Sequence, residues 1–422
     1  MTSETNEQLP ASEPSSEEII APLPRITLQA FCETPAVAAT MQTAVADRRM
    51  DKAHTRIQMG GPAAAVEAFR SAPTPNIIVL ETLSDPATLV SHLEALSESC
   101  DAGTKVVVIG HVNDVQLYRD LIRRGVSEYL IAPLGTLDVL RTLSELYVAP
   151  EARNLGRVIA VMGAKGGVGA STIAHNISWA IARSLDASTV IVDLDVAYGT
   201  AGLNFNQDPP QGIAEAIFAP ERLDSNVLDR LLSRCSDNLA LLAAPAMLDR
   251  TIDLNEDALE QLLDLLRASV PCIVLDLPHQ WSGWVKRTML SADEIVIVGE
   301  PELASLRNAK NLVDLSRATR PNDAVARLVL NKTGVPKRPE INTGEFSKAL
   351  GIDVLCTIPF DAQLFGTAAN NGQMIAEVQA GSKAAEAFTQ IASALTGRGE
   401  AKRSRRSLLE PLVSKLKRRK AS

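Results

Sequence analysis

Cysteine is scarce and scattered in this chain of 422 residues. The five cysteines, Cys32, Cys100, Cys235, Cys272 and Cys356, lie far apart and form no CxxC pair. This spacing argues against both a disulfide framework and a zinc site. It favours the reducing conditions of a cytoplasm.

Long apolar runs and an N-terminal targeting signal are also missing. No run approaches the ~18 residues that a membrane-spanning helix needs. Residues 1–20 hold no basic residue and no apolar core, so we expect no secretory signal there. The chain is 46% hydrophobic and 22% charged, an ordinary composition for a globular protein. A chain of this length should hold two or three domains.

Basic residues are outnumbered everywhere except in one segment. Residues 401–422 hold nine Lys or Arg and one Glu, whereas the other 400 residues hold 33 basic and 49 acidic side chains. An acidic body lacks the basic face that neutralises phosphates, so nucleic acid is not an expected partner. Leucines at helical spacing among the basic residues predict a basic amphipathic tail over 397–422 that contacts a membrane surface. A solvated tail, or a segment that docks on an acidic partner, is the alternative.

The first part of the chain divides into a polar segment and a repeating α/β pattern. Residues 1–24 are rich in Glu, Ser and Pro and lack periodicity, which predicts a disordered acidic N-terminus with order beginning at Arg25. Over residues 25–147, short apolar runs alternate with helical patterns, which predicts a parallel sheet between helices. The runs are Ile26–Phe31, Arg56–Met59, Ile77–Leu80, Val106–Ile109 and Tyr129–Ile131.

The pattern over residues 25–147 resembles the receiver domain of two-component signalling, but its chemistry is degenerate. A receiver has an acidic pair after the first strand, an Asp at the end of the third and a Lys-Pro after the fifth. The corresponding residues here are Cys32-Glu33, Glu81 and Ala132-Pro133. Glu81 cannot form the usual acyl phosphate. The resemblance therefore implies a pseudo-receiver without a phosphoacceptor, kept for docking or targeting.

Residues 148–156 are predicted to be a linker to a larger α/β region over 157–396. Its apolar runs are nearly continuous, as expected for parallel strands that are covered on both faces. The predicted strands are Val158–Met162, Thr189–Val192, Leu239–Ala243, Cys272–Leu275, Glu294–Val298, Ala326–Leu330 and Val354–Thr357.

The most informative absence is a lysine missing from a phosphate-binding loop. Residues 163–172 read Gly-Ala-Lys-Gly-Gly-Val-Gly-Ala-Ser-Thr between a predicted strand and a predicted helix. Glycines at such a junction let backbone N–H groups surround an anion, and the helix N-terminus adds partial positive charge. The usual loop ends in Gly-Lys-Ser/Thr. Here the lysine position is Ala170, and Lys165 is the cation that remains in the loop.

Polar side chains follow three of the later strands. Asp193 and Asp195 follow one strand, Asp276 a second and Asn331 a third. Ligands of an open parallel sheet bind beyond the carboxyl ends of its strands, so we expect these residues to gather around the loop. A single Asp after a strand is more often a helix cap or a turn residue. Several such signals in this order predict a nucleotide site.

This set of motifs resembles the ParA/MinD family of deviant-loop ATPases over residues 157 to about 395. The resemblance implies a P-loop NTPase fold of the SIMIBI type, with ATP and Mg²⁺ as cofactors. The whole chain is then of the α/β class, with two three-layer parallel-sheet domains, the first receiver-like (flavodoxin-like). The resemblance assigns nucleotide contacts to the loop residues Gly166, Gly167, Val168, Gly169, Ala170, Ser171 and Thr172.

The same resemblance gives roles to individual residues. Lys165 is the lysine that crosses the interface of an ATP-bound homodimer to the partner's phosphates. Asp195 orients the attacking water. Mg²⁺ is held by Ser171 and, through water, by Asp276. The base lies beside Asn331 and Pro359.

A pseudo-receiver followed by this ATPase resembles the CpaE/TadZ family of pilus-assembly proteins, over about 370 residues. That resemblance implies a cytoplasmic, polar protein, peripheral to the inner membrane, that partners pilus-assembly or polar-localisation proteins of a tight-adherence (Flp) machine. Without a lysine at position 170 we expect ATP binding, dimerisation and slow hydrolysis. A non-hydrolysing scaffold of the same architecture and a ParA-like partition ATPase are the alternatives.

Overall fold

Two β-sheets organise the chain in the computed structural model, which describes residues 20–147, 155–209, 211–244 and 254–397. One sheet has five strands and the other has eight. Most of the predicted disordered N-terminus, most of the predicted linker and the basic tail from residue 398 lie outside the described residues. None of the described helices combines the length and the apolar character that a bilayer span requires.

The smaller sheet is parallel throughout, with the strand order β2-β1-β3-β4-β5. This is the flavodoxin-like order of doubly wound proteins, so the predicted receiver-like fold is confirmed. The strands are β1 (Ile26–Cys32), β2 (Ala53–Met59), β3 (Ile77–Glu81), β4 (Lys105–Gly110) and β5 (Glu128–Ile131). The helices are α1 (Pro35–Val45), α2 (Gly61–Phe69), α3 (Pro86–Ser97), α4 (Val115–Arg123) and α5 (Thr136–Glu145).

Capping side chains explain where several of these helices begin. Thr34 accepts a hydrogen bond from the N–H of Val37 at the start of α1. Asp85 and Asp114 accept bonds from the first turns of α3 and α4. Each cap satisfies donors that the helix itself leaves unpaired.

Order begins before Arg25, contrary to the sequence prediction. Ile20, Ala21 and Leu23 are buried against the core of the smaller unit. The N–H of Leu23 donates to the carbonyl of Arg49 at 2.8 Å. The prediction that residues 20–24 are disordered is therefore wrong. These few apolar side chains are too short a run to show periodicity. They nevertheless stabilise the folded state, because they are buried against the edge of a core that the rest of the unit forms.

The larger sheet has the order β13-β12-β11-β6-β10-β7-β9-β8, with β8 antiparallel at the edge. The seven predicted strands are present. The eighth, β8, was not predicted because its short polar sequence shows no apolar run. The strands are β6 (Arg157–Gly163), β7 (Thr189–Asp193), β8 (Ser233–Ser236), β9 (Leu239–Leu242), β10 (Cys272–Asp276), β11 (Glu294–Gly299), β12 (Arg327–Thr333) and β13 (Val354–Pro359).

Helices cover both faces of the larger sheet. Along β6, Val158, Ala160 and Met162 enter one apolar core, while Ile159 and Val161 enter the other. The strand is therefore apolar throughout. The helices are α6 (Ala170–Ser184), α7 (Ala201–Asn204), α8 (Ile213–Phe218), α9 (Ser225–Leu231), α10 (Glu256–Ser269), α11 (Gly283–Ser291), α12 (Leu303–Thr319), α13 (Thr343–Leu350), α14 (Ala362–Asn371), α15 (Ile375–Val378) and α16 (Lys383–Leu395).

The two units meet at the N-terminal edges of their strands. A short 3₁₀ helix, Arg48–Met50, precedes β2. Arg48 lies 3.4 Å from Asp293 and 2.8 Å from Asp323, and Arg49 also contacts Asp323. The two aspartates precede β11 and β12. The contact is thus one strand length, about 20 Å, from the carboxyl ends of the larger sheet.

A cavity of about 880 Å³ lies beside this contact and is lined by residues of both units, among them Arg25, His54 and Lys286. The phosphate loop begins at the other end of β6. The cavity is therefore distinct from the candidate nucleotide site.

Candidate nucleotide site

The loop at residues 163–172 connects β6 to α6. Gly167 has a φ of +79°, and Gly169, which caps α6, has a φ of +84°. Residues with a Cβ rarely adopt this left-handed conformation. A Cβ on Gly169 would also lie only 2.6 Å from the Nδ2 atom of Asn331. The glycines thus allow the tight path of the loop, and that path is formed with alanine at position 170.

Of the two predicted base-side residues, Asn331 contacts this loop. Asn331 is buried, and its Nδ2 donates to the carbonyl of Val168 at 2.8 Å. Pro359 ends β13 and pairs with Thr333, two residues beyond Asn331. Asn331 therefore fastens the loop to β12, while Pro359 lies on the adjacent strand, β13, and its place beside a base stays a prediction.

Lys332 is a loop contact that was not predicted. Its Nζ donates to the carbonyl of Gly167 at 2.5 Å and pairs with Glu300 at 2.9 Å. Arg338 also contacts Glu300, at 2.8 Å. The position of Lys332 directly after Asn331 was the available signal. This cluster ties the loop to the ends of β11 and β12.

Lys165 is paired within its own chain. Its Nζ lies 2.5 Å from Oε1 of Glu302, the residue that precedes α12. This contact raises the pKa of Lys165 and keeps its ammonium group charged. Glu302 was not predicted. A contact between Lys165 and a second copy of the chain would have to replace Glu302.

Two of the predicted carboxylates lie side by side. Asp193 and Asp276 are in register at the ends of β7 and β10, and both are buried. Burial, reinforced by the charge of Asp276, raises the pKa of Asp193. The Oδ1 atom of Asp276 has no hydrogen-bond partner among the described residues.

This buried pair fits a nearby divalent cation. An unpaired acceptor oxygen and crowded negative charge are what such a cation would satisfy. No three His, Cys, Asp or Glu side chains converge on a metal site within the described ranges. Mg²⁺ needs no such cage, because it takes one or two carboxylates and fills its shell with water and phosphate oxygens. Ser171, half-buried in the first turn of α6, and Asp276 are the residues that would hold it.

Asp193 and Asp195 shape the segment after β7. Asp193 accepts the N–H groups of Asp195 and Ala201, each at 3.1 Å. Asp195 accepts the N–H of Tyr198 at 3.1 Å and stays half-buried. Its role in orienting water stays a prediction.

In the smaller unit, Glu81 occupies the position at the end of β3 where a receiver has its phosphoacceptor. It is fully buried and accepts the backbone N–H groups of Glu33 and Thr34, at 2.7 and 2.8 Å. The Thr34 hydroxyl and His111 contact its other oxygen at 2.6 and 3.1 Å. Burial alone would raise the pKa of Glu81, but these hydrogen bonds outweigh burial and hold it below its usual value. The carboxylate therefore acts as an internal clasp between β1, β3 and β4.

Glu81→Gln should lower the free energy of unfolding by about 1.5–3 kcal/mol at pH 7, because an amide cannot accept all of these donors. The lowered pKa means that the contribution is present above the unfolded pKa, about 4.3, and is lost as pH falls through the folded pKa. Urea unfolding at pH 7 and near pH 3.5 should show that the difference in the free energy of unfolding between wild type and Glu81→Gln is smaller at the lower pH. Glu67→Gln, in an exposed pair with Arg70, is the control and should change little. If both variants lose the same free energy of unfolding, Glu81 does not stabilise the unit in the way described.

The phosphate loop after the first strand of the larger sheet, with carboxylates at neighbouring strand ends, defines a P-loop NTPase. A family model described as "ParA: NUBPL iron-transfer P-loop NTPase" matches residues 154–396. The chain belongs to this ParA family of P-loop NTPases.

The chain is similar to MinD proteins in sequence and in fold. The septum site-determining protein MinD of Helicobacter pylori is 26% identical over 249 residues, which is 57% of this chain and 90% of the relative. MinD of Pyrococcus horikoshii, solved in complex with Mg-ADP, is 20% identical and covers 57% of this chain and 96% of its own, with a TM-score of 0.51. The second likeness is one of fold.

A third similarity concerns the receiver-like region. The pilus assembly protein CpaE from Caulobacter crescentus is 49% identical in sequence, covering 31% of this chain and 98% of its own, with a TM-score of 0.30. Over this region the chain is similar in sequence to a CpaE protein. The predicted resemblance to the ParA/MinD family is confirmed by the family model and by the sequence similarity to MinD.

Proposed function

We propose that this protein is an ATP-binding, dimerising localisation factor for a tight-adherence (Flp) pilus assembly machine, and that it hydrolyses ATP slowly. The observation that carries the proposal is a phosphate loop with its backbone path formed but Ala170 in place of the lysine. The sequence identity of its receiver-like region to CpaE supports the pilus role. The chain would act at the cell pole, peripheral to the inner membrane.

The residues of the site divide the work of binding. Backbone N–H groups of the loop and the N-terminus of α6 receive the phosphates. Ser171 and Asp276 hold Mg²⁺, which neutralises phosphate charge when bound. Asp195, on the half-buried segment after β7, orients the attacking water. Hydrolysis is slow because no lysine at position 170 stabilises the charge that develops in the transition state.

Dimerisation supplies the missing cation in part. Lys165 leaves Glu302 and contacts the phosphates of the partner copy, where it acts as an added positive charge. Because the Lys165–Glu302 pair is partly exposed, water screens it, and breaking it requires little free energy. Nucleotide is therefore able to favour the dimer over the single copy.

Lys165→Ala should abolish nucleotide-dependent dimerisation while leaving a folded chain. Size-exclusion chromatography with light scattering, with and without Mg-ATP, measures the dimer, and a fluorescent ATP analogue measures affinity. Lys310→Ala is the control, because Lys310 is a lysine on α12 that pairs with Asp314 in solvent. If Lys165→Ala leaves both the affinity and the dimer unchanged, the proposed site is wrong.

A non-hydrolysing scaffold is the second candidate, and Ala170 is the observation that favours it. Both candidates bind nucleotide, so only turnover separates them. Phosphate release above background that Asp195→Ala removes would establish the ATPase.

A further inference from the structure

A buried histidine beneath the phosphate loop has no part in the chemistry described so far. His175 lies one turn beyond Ser171 in α6 and is 1% exposed. Ala174 and Ile177 of this helix are buried and apolar, whereas the buried polar neighbours Asn176 and Ser178 each make a hydrogen bond. Burying an imidazole among apolar groups costs free energy unless its nitrogens find partners. The partners of His175 therefore indicate what the residue does.

The two nitrogens of the His175 ring have different surroundings. Its Nδ1 lies 3.0 Å from Nδ2 of Asn204, and Phe205 packs against the ring with centroids 5.4 Å apart. An amide nitrogen only donates, so Nδ1 accepts and the ring proton is on Nε2. Nε2 lies 3.4 Å from Oδ2 of Asp276 and makes no aligned hydrogen bond with any described residue. Nε2 is thus an unsatisfied donor next to the carboxylate, close enough to bond with it after a small rotation of either side chain.

Asn204 ends α7, the short helix that follows the Asp195 segment. The start of α7 is fixed by the bond from the Ala201 N–H to Asp193. The same surface region carries two exposed apolar side chains, Tyr198 at 72% and Leu203 at 74%. His175 therefore lies between a surface element and the buried carboxylate pair.

We propose that His175 is a positioning residue that orients Asp276 for Mg²⁺ and couples the metal site to α7 through Asn204. This inference rests on the proposed nucleotide and Mg²⁺ binding. Groups that fix the orientation of a metal-binding carboxylate change metal affinity by about 10- to 100-fold when they are removed. Oδ1 of Asp276 has no hydrogen-bond partner among the described residues, and Nε2 of His175 lies 3.4 Å from Oδ2, so loss of the imidazole should change the surroundings of this carboxylate directly.

The test is a Mg²⁺ titration of fluorescent ATP analogue binding to the full chain. His175→Leu should weaken the apparent Mg²⁺ affinity about 10-fold while leaving analogue binding in EDTA unchanged. His175→Gln keeps an N–H donor and should recover most of the affinity. Ser178→Ala is the matched control, because Ser178 is a buried polar residue of the same helix whose hydroxyl donates to the carbonyl of Ala174.

Hydrogen exchange supplies a second readout that a purely structural role would not move. In the wild-type chain, Mg-nucleotide should slow amide exchange over residues 198–205, and His175→Leu should remove that protection. If His175→Leu does not fold, Asn204→Ala, at a partly exposed position, should weaken Mg²⁺ affinity in the same direction. If the His175 and Asn204 variants have the same Mg²⁺ affinity as the wild type, the role of His175 is wrong but the proposed function is untouched. A wild-type chain with no Mg²⁺-dependent binding overturns the proposed function as well.

Discussion

Placing a lysine at position 170 should raise the rate of ATP hydrolysis by about 10- to 100-fold. A charge-assisted contact is worth about 1.5–3 kcal/mol, and each 1.4 kcal/mol is a factor of about ten. Ala170 is the first residue of α6 and is half-buried beside a loop whose path is already formed. Steady-state phosphate release at saturating Mg-ATP measures the gain.

Two further variants make this gain interpretable. Ala170→Met fills similar space without charge, so it should stay at the wild-type rate. Asp195→Ala in the Ala170→Lys background should return turnover to the level of buffer alone. If Ala170→Lys binds ATP yet turns over no faster than Ala170→Met, the missing lysine does not limit hydrolysis, and the scaffold becomes the better description.

Removing Asp323 should lower the free energy of unfolding by about 3–5 kcal/mol, the usual effect of deleting one member of a buried ion pair. The Asp323 side chain is 4% exposed and lies 2.8 Å from Arg48 and 3.0 Å from Arg320. Arg49 contacts its other oxygen. Asp323→Ala leaves these guanidinium groups crowded at the contact between the two units. Urea unfolding at pH 7 measures the loss.

The pH dependence of Asp323 gives an independent check. Burial would raise its pKa, but the arginines, Arg48 foremost, outweigh burial and lower the pKa to about 2. A lowered pKa means stability that is present above the unfolded value, about 3.9, and lost as pH falls toward 2. The difference in the free energy of unfolding between wild type and Asp323→Ala should therefore become smaller below pH 4. Asp314→Ala, in the exposed pair with Lys310, should change stability by no more than about 0.5 kcal/mol.

The sequence predicts the strands and the strand-end residues for the same reason. A parallel strand covered on both faces must be apolar, so its end is visible, and the polar residues that follow it must share one edge of the sheet. Asp276 and Asn331 were placed in this way. Strand β8 escaped prediction because a short polar edge strand has no apolar run.

The contacts that complete the site could not be read from the chain. Glu302 is 137 positions from Lys165, and Lys332 is 165 positions from Gly167. A single charged residue carries no periodicity that reveals a distant partner. His175 was hidden in the same way, since its helix was predicted only from the apolar residues around it.

The ion pairs at Asp323 and Asp293 join the units at the N-terminal edges of both sheets, so Glu81 and the phosphate loop lie on opposite outward ends. If two copies pair through their phosphate loops, as proposed, the receiver-like units become the far ends of an elongated particle. One such particle presents the same docking surface twice, and a single copy presents it once. Partners clustered at one site would then bind the dimer far more tightly than the single copy, because two docking surfaces bind at once. Nucleotide binding, by forming the dimer, would thereby determine where in the cell the protein stays.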